Sequence, residues 1–215
     1  MKAWIAMGTV LVAAAGFAAP PAGRAAAGKE LVDDPGFEHG KLEEFFLMGP
    51  IDPAFTAIVK DERLAHGGRR VLRIQKIPGF KDGKHGAFLG KDIGKEVRHG
   101  DRIDLTAWVR LASNRRSVVV AGLVVMDATD KPMHVQATTV DKAEAWTGVK
   151  VTTTIPDKSI VGDWKGVYAF VSADPEGGAA GAQDSMAQLL VDDIQIVRTR
   201  SRDRKSTRLN SSHVS

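Results

Sequence analysis

The sequence of 215 residues contains no cysteine. This absence excludes a disulfide framework, a zinc site built on thiolates and a cysteine nucleophile. Aromatic residues are also scarce, at 6% of the chain with a single tyrosine, Tyr168. Hydrophobic residues nevertheless make up 43% of the sequence, which is enough for one domain to bury a core. The fold therefore has to rest on packing, with or without help from a metal ion.

Long apolar runs are absent except near the N-terminus. There Lys2 precedes the apolar stretch Trp4–Ala19, and small residues follow up to Ala25–Ala27. This order is typical of a secretory signal peptide with a cleavage site of small residues. A membrane anchor is the alternative, but the run is short for a bilayer span. We predict that residues 1–27 are removed, that the mature chain has no stable membrane insertion, and that it is secreted, periplasmic or held at the cell surface.

The net charge of +4 comes from the two ends of the chain. Residues 1–27 hold two basic residues and no acidic one, and residues 203–215 hold three basic residues and one acidic residue. Residues 28–202 therefore carry equal numbers of acidic and basic side chains. A neutral body lacks the basic surface that binds phosphates, so we predict that nucleic acid is not a partner.

The C-terminal stretch DRKSTRLNSSH, residues 203–213, resembles the translation of a sequencing adapter. One choice of codons for these eleven residues spells such an adapter in frame. The alternative is a genuine polar tail. We interpret residues 203–215 as a disordered artefact of this kind, and we expect the natural protein to continue beyond Arg202.

The body, residues 28–202, is predicted to be one all-β domain. Short β-branched runs alternate with turns rich in Gly, Pro, Asn and Asp, and no long stretch shows the period of an amphipathic helix. Such spacing indicates a sandwich or barrel. The predicted strands are Thr56–Lys60, Val71–Ile77, Ala87–Leu89, Ile103–Leu111, Val118–Met126, Met133–Val140, Val149–Ile155, Val167–Ser172 and Leu189–Val197. A turn at Asp127–Pro132 is predicted to close a hairpin, and Asp is favoured there because it bonds its own backbone.

Alternation along three strands predicts aliphatic side chains on one face and polar or aromatic side chains on the other. The second set contains Trp108 and Arg110, Gln136 with His134, and Tyr168 with Phe170. Aromatic rings cover the apolar face of a sugar, while amide and guanidinium groups bond its hydroxyls. We therefore predict a ligand face formed by Trp108, Arg110, Gln136 and Tyr168. The alternative is that the rings are covered by a loop and only pack.

Five motifs, in order along residues 30–198, resemble those of jelly-roll carbohydrate-binding modules of the CBM 4/9/22 type, within the galactose-binding-like superfamily. They are ELVDDPGFEHG, AHGGRRVLRI, GDRIDLTAWVRLAS, AWTGVKVTTTIP and LLVDDIQIV. The resemblance implies a jelly-roll β-sandwich of two antiparallel sheets. It departs from the family after Gly40, where Phe45 and Phe46 replace the usual tryptophan.

The same resemblance implies a structural calcium ion that ties the first strand to the last. The family's ligands fall on Glu38 and Asp192 of this sequence. Hard oxygen ligands of this kind suit Ca²⁺. The alternative is that Glu38 is a turn carboxylate and Asp192 a strand-end residue.

No motif of the sequence points to catalysis. There is no histidine pair at metal-binding spacing, no Gly-x-Ser-x-Gly turn and no phosphate-binding glycine loop. We therefore expect a secreted, non-catalytic module that binds a polysaccharide or other glycan. Two alternatives stay open: a structural or protein-interaction domain of the cell envelope, and the leading accessory domain of a truncated glycan-active enzyme.

Overall fold

The computed structural model describes residues 28–49, 51–76, 87–115, 117–141, 143–175 and 186–201. These residues form two antiparallel sheets that pack face to face, so the predicted all-β sandwich is confirmed. The elements are β1 (Lys29–Glu30), β2 (Phe46–Met48), β3 (Ala57–Lys60), β4 (Arg70–Gln75), β5 (Ala87–Asp92), β6 (Arg102–Arg115), β7 (Ser117–Met126), β8 (Pro132–Val140), β9 (Thr147–Thr154), α1 (Lys158–Val161), β10 (Gly166–Pro175) and β11 (Met186–Thr199). The predicted signal peptide and the adapter-like end lie outside the described residues.

The strand order places chain-distant strands side by side. Sheet A has the order β3-β4-β11-β6-β9, with β1 paired to the end of β11, and sheet B has the order β2-β5-β10-β7-β8. All pairings are antiparallel. The last strand, β11, pairs with β1 near the start of the chain. The domain is therefore closed by contacts between its two ends.

All nine predicted strands are present, and most are longer than predicted. The helix α1, four residues long, is the only one in the described ranges, and no helix there is long and apolar enough to cross a bilayer. The prediction missed β1 and β2, which are two and three residues long. Strands this short have too few residues to display an alternating pattern, and tertiary pairing alone defines them.

The alternation predicted for β6 and β10 is confirmed. Ile103, Leu105, Ala107, Val109 and Leu111 are buried between the sheets, and so are Val167, Ala169 and Val171. Their outward neighbours include Trp108 and Tyr168. Two sheets that each bury one face of alternating residues produce a single apolar core.

The hairpin of β7 and β8 is also confirmed, together with the structural role of its turn. Oδ1 of Asp127 accepts hydrogen bonds from the backbone N–H groups of Thr129 (2.8 Å) and Lys131 (2.9 Å). These bonds, with the hydroxyl bond from Thr129, hold the pKa of Asp127 below its usual value. The carboxylate of Asp127 therefore stabilises the turn between β7 and β8.

From His134 to Ala137 the faces of β8 are the reverse of the prediction, whereas Met133, at the β-bulge, packs against the core as predicted. Gln136 pairs with Leu123 and His134 with Val125, and both partners have their side chains in the core. Ala137 packs on the outer face of sheet B instead. Polar residues usually face water, so the alternation predicts that the polar side of β8 faces outward. Because β8 is an edge strand, the side chain of Gln136 is exposed to solvent although it lies on the side of the sheet that faces the core.

Candidate functional site

The outer face of sheet B carries a second apolar cluster, separate from the core. Val124, Met126 and Phe170 are buried there, and partly buried side chains pack around them: Phe88, Val120, Ala137 and Tyr168. Phe88 stacks on Phe170 with centroids 5.1 Å apart and an interplanar angle of 20°. The partly exposed rings of Phe88 and Tyr168 make this cluster a candidate contact surface.

Two glycines allow the rings of this face to lie close to the backbone. In register across the sheet, Phe46 pairs with Gly90, Gly90 with Phe170, and Phe170 with Gly122. A Cβ on Gly90 would collide with the rings of Phe46 and Phe88, and one on Gly122 would lie 2.6 Å from the Gln136 carbonyl oxygen. Aromatic side chains thus fill the space above glycine backbone.

The cluster has a polar end at Tyr168. The ring of Tyr168 meets Phe46 edge-on, with centroids 5.7 Å apart. Burial raises the pKa of the Tyr168 phenol, and the charges of Asp92 and Asp130 add to this effect. Asp130 is held in turn by Nζ of Lys165 at 2.8 Å. A neutral phenol, two carboxylates and an ammonium group therefore border the rings.

Phe46 and Phe88 are aromatic residues of this surface that the predicted ligand face did not include. Phe46 lies on β2, which is too short to be predicted, but the adjacent pair Phe45–Phe46 carried a signal. Neighbouring residues of a strand face opposite sides. Phe45 packs on the core and contacts Phe37, with centroids 5.8 Å apart, while Phe46 lies on the outer face.

Trp108 lies on the outer face of the opposite sheet, A. The imidazole of His66 stacks on its indole, with centroids 3.9 Å apart and an interplanar angle of 15°. The edge of Trp146 approaches the same imidazole at 5.6 Å. The Trp108 side chain keeps 37% of its surface exposed. The loop that carries His66 thus covers part of this ring.

The loop that carries His66 is fixed by two neighbouring carboxylates of β11. Oδ2 of Asp192 accepts the backbone N–H groups of His66 (2.8 Å) and Gly67 (3.1 Å). Oδ2 of Asp193 lies 2.8 Å from Nδ1 of His66. Asp193 stands in a β-bulge with φ of 48°, which turns its side chain toward the loop. The contact of His66 with Asp193 joins residues 127 positions apart, and no sequence pattern indicated it.

The four residues predicted as one ligand face lie on three different surfaces. Trp108 and Arg110 share the outer face of sheet A, where Nε of Arg110 donates to the carbonyl oxygen of Glu144 (3.2 Å). Tyr168 lies on the outer face of sheet B, and Gln136 on the inner side of the edge strand β8. Alternation could not place them relative to one another, because it gives the two faces of each strand but not the sheet to which a strand belongs.

The predicted metal ligands Glu38 and Asp192 do lie close to each other. A Cβ on Gly36 would be 3.7 Å from Oδ1 of Asp192 and 3.8 Å from Cγ of Glu38. Oε1 of Glu38 accepts the backbone N–H groups of Arg69 (2.6 Å) and Arg70 (3.0 Å), which hold its pKa below the usual value. Asp192 is fully buried, and burial raises its pKa.

As placed here, these two carboxylates bond backbone N–H groups and have no third acidic or histidine side chain beside them in a metal-binding arrangement among the described residues. Calcium takes six to eight oxygen ligands, and the described residues contain no group of three or more His, Asp or Glu side chains arranged for a metal ion. Oxygens of Glu38 and Asp192 are instead turned to backbone N–H groups of one loop, residues 66–70. The calcium expectation remains a prediction that a titration can test.

Comparison with solved structures identifies the fold. The first CBM22 xylan-binding domain of Xyn10C from Paenibacillus barcinonensis is 13% identical, with a TM-score of 0.58 over 83% of this chain and 99% of that one. A xylan-binding domain of CBM22 is 14% identical, with a TM-score of 0.52 over 80% and 95% of the two chains. The jelly-roll fold implied by the sequence motifs is therefore confirmed.

A larger match places the same fold next to a catalytic module. It is the CBM22-1 and GH10 modules of Clostridium thermocellum endo-1,4-beta-D-xylanase 10B, 16% identical, with a TM-score of 0.55 over 81% of this chain and 29% of that one. No protein-family model and no curated protein matches the sequence. The likeness rests on structure and concerns the fold.

Proposed function

We propose that this chain is a non-catalytic glycan-binding module that contacts its ligand with the outer face of sheet B. The observation that carries the proposal is the position of Tyr168. Its ring continues the row of Phe46, Phe88 and Phe170 on a face that the core does not use. Asp92 is its register partner, and the charges of Asp92 and Asp130 act on its hydroxyl.

The chemistry of this face suits a sugar chain. A pyranose has an apolar C–H surface that packs on aromatic rings, and hydroxyls that need hydrogen-bond partners. The partly buried rings of Tyr168 and Phe88 can pack on the apolar C–H surface of the sugar. Asp92 and the ion pair of Asp130 with Lys165 lie near Tyr168 and can form hydrogen bonds with the hydroxyls.

The solved structures support a polysaccharide as the class of ligand, because their domains are xylan-binding. We propose xylan or a related polysaccharide as the partner and an extracellular, periplasmic or cell-surface location, in keeping with the predicted signal peptide. The accessory role beside a glycan-active enzyme is part of the same proposal, and recovery of the full gene tests it.

Affinity electrophoresis on xylan, glucan and chitin tests the binding proposal. We expect the wild-type chain to be retarded by at least one polysaccharide, and Tyr168→Ala to lose about tenfold or more of that affinity, since stacking on a ring contributes on this scale. The matched control is Trp108→Ala, an aromatic truncation on the opposite sheet, which should leave retardation unchanged. Circular dichroism confirms that both variants fold.

Two outcomes contradict the proposal. The first is absence of binding to every polysaccharide and to a glycan array. The second is binding that Tyr168→Ala preserves, because the ligand surface would then lie elsewhere. If Trp108→Ala alone removes binding, the surface lies on sheet A.

One observation favours the alternative of a protein-interaction domain. The same face exposes apolar side chains at its margins, with 40% of Met48 and 37% of Val135 accessible. Patches of this kind occur at protein interfaces. Met48→Ser would then weaken association with a partner protein and leave polysaccharide binding unchanged.

A further inference from the structure

A cavity of about 410 Å³ opens between the loops at one end of the sandwich. It is lined by Val97, Arg98, His99, Asp163 and Trp164. Val97–His99 belong to the connection between β5 and β6, and Asp163–Trp164 to the connection between β9 and β10. The volume is in the range of small-ligand sites, and the cavity shares no residue with the proposed sheet B surface.

The aromatic wall of this cavity is anchored on both sides. Trp164 is half-buried and packs against the core. The ring of His99 lies 4.4 Å from it, centroid to centroid, and Nδ1 of His99 donates to the carbonyl oxygen of Pro156 (2.7 Å). The cavity thus has a fixed indole and a fixed imidazole.

The two charged residues of the lining differ in their partners. The Asp163 carboxylate binds Nζ of Lys158 at 2.7 Å, and this contact holds the pKa of Asp163 below its usual value. The backbone N–H of Arg98 donates to Oδ2 of Asp101 (3.0 Å) and fixes the start of its side chain. Within the described part of the chain, the guanidinium of Arg98 has no hydrogen bond or ion pair.

We propose that this cavity binds a single sugar unit that carries a carboxylate, as hexuronic acids do. The apolar face of the ring packs on Trp164. The carboxylate of the sugar accepts two parallel hydrogen bonds from the planar guanidinium of Arg98, in the bidentate geometry that arginine forms with carboxylates. One hydroxyl donates to the Asp163 carboxylate, and another pairs with Nε2 of His99.

The carboxylate of Asp163, which lines the cavity beside Arg98, favours a uronate over a phosphate as the bound anion. A phosphate would bring nearly two negative charges beside Asp163, and like charges at this distance repel. A uronate brings one negative charge at one corner and hydroxyl donors around the rest of the ring. A neutral hexose would leave the Arg98 guanidinium without its partner.

Titration of the full, ¹⁵N-labelled chain with D-glucuronate and D-galacturonate tests the site, with D-glucose and D-galactose as neutral counterparts. We expect saturable shifts of the Trp164 indole N–H and the Arg98 Nε–H signals, and a Kd for the uronates about tenfold or more below that for the neutral sugars.

Arg98→Gln should bring uronate affinity to the level of the neutral sugars. The matched control is Lys95→Gln, which removes the same charge from the same loop outside the lining and should change nothing. Tyr168→Ala should also leave uronate binding in the cavity unchanged. Failure of the cavity proposal can therefore be distinguished from failure of the sheet B proposal.

Three results overturn the proposal. They are equal affinity for acidic and neutral sugars, equal loss in Arg98→Gln and Lys95→Gln, and uronate shifts that do not include the Trp164 indole. The variant Trp164→Phe, which keeps an aromatic ring against the core, should weaken uronate binding without unfolding the domain.

Discussion

The imidazole of His66 lies flat on the indole of Trp108, with 3.9 Å between ring centroids. His66 comes from the loop between β3 and β4, and Trp108 from the middle of β6. The contact fastens this loop to the outside of sheet A, where Asp192 and Asp193 also hold it. A tryptophan predicted to meet a ligand therefore has a structural partner already.

The stacked pair should show energetic coupling. We expect His66→Ala and Trp108→Ala each to lower the free energy of unfolding, and the double variant to lose less than the sum. The coupling should be about 0.5–1.5 kcal/mol, the range for paired rings. Urea denaturation of the four proteins measures it. His39→Ala removes an exposed imidazole elsewhere and should combine additively with Trp108→Ala; additivity in the His66 cycle would contradict the stabilising role.

Asp192 should be important for stability without calcium. Its carboxylate accepts three backbone N–H groups, those of His66, Gly67 and Asp193. Asp192→Ala should therefore lower the free energy of unfolding by about 2–3 kcal/mol, since unpaired buried donors are costly.

The calcium expectation is tested on the same residue. Because the carboxylates of Glu38 and Asp192 bond loop N–H groups, we expect the melting temperature of the wild-type chain to be equal in chelator and in millimolar CaCl₂. A calcium-dependent rise that Asp192→Asn abolishes would restore the calcium site that the resemblance implies.

Gly122 and Gly90 should differ in their tolerance of a methyl group. A Cβ on Gly122 would lie 2.6 Å from the backbone oxygen of Gln136 and 2.7 Å from Cβ of Ala137. Gly122→Ala should therefore push β8 away and cost about 1–3 kcal/mol of unfolding free energy. At Gly90 the obstacles are the rings of Phe46 and Phe88, which can rotate.

The comparison of the two alanine variants uses thermal unfolding and polysaccharide affinity together. Gly90→Ala should cost less stability than Gly122→Ala but should weaken binding, because displaced rings alter the proposed ligand face. The reverse order of stabilities would show that the rings of this face are as rigid as its backbone.

His134 should make the domain less stable in mild acid. Burial lowers the pKa of its imidazole from the usual value of 6.5, and Nε2 has no hydrogen-bond partner among the described residues. The unfolded chain then binds a proton more readily than the folded one below about pH 6.5, so unfolding free energy falls as pH falls through this region. His134→Gln should flatten the dependence measured by urea denaturation from pH 7.5 to 5.5, and an unchanged slope in this variant would contradict the role of His134.

Much of the fold could be predicted because most strands show their alternating pattern within a few consecutive residues. The alternation of β6 and β10 placed five and three aliphatic residues in the core correctly. The turn at Asp127 followed from its side-chain chemistry. These features depend on neighbours within a few residues, which a sequence displays directly.

The site was predicted less well because it depends on which strands become neighbours. Trp108 and Tyr168 have the same local pattern, yet β6 belongs to sheet A and β10 to sheet B. Gln136 lies on the core side of β8 and is still exposed to solvent, because β8 is an edge strand. The sheet to which a strand belongs, and its place in that sheet, depend on pairing between residues far apart in the chain.

The sequence by itself determined the all-β class, the positions of the nine longer strands and the neutral charge of the body, because short-range patterning and composition set them. Tertiary structure alone decided that Phe46, Phe88, Phe170 and Tyr168 share one outer face. It also decided that His66 covers Trp108 and that Arg98 and Trp164 meet at a cavity. Each of these contacts joins residues far apart in the chain, and packing of the two sheets brings them together.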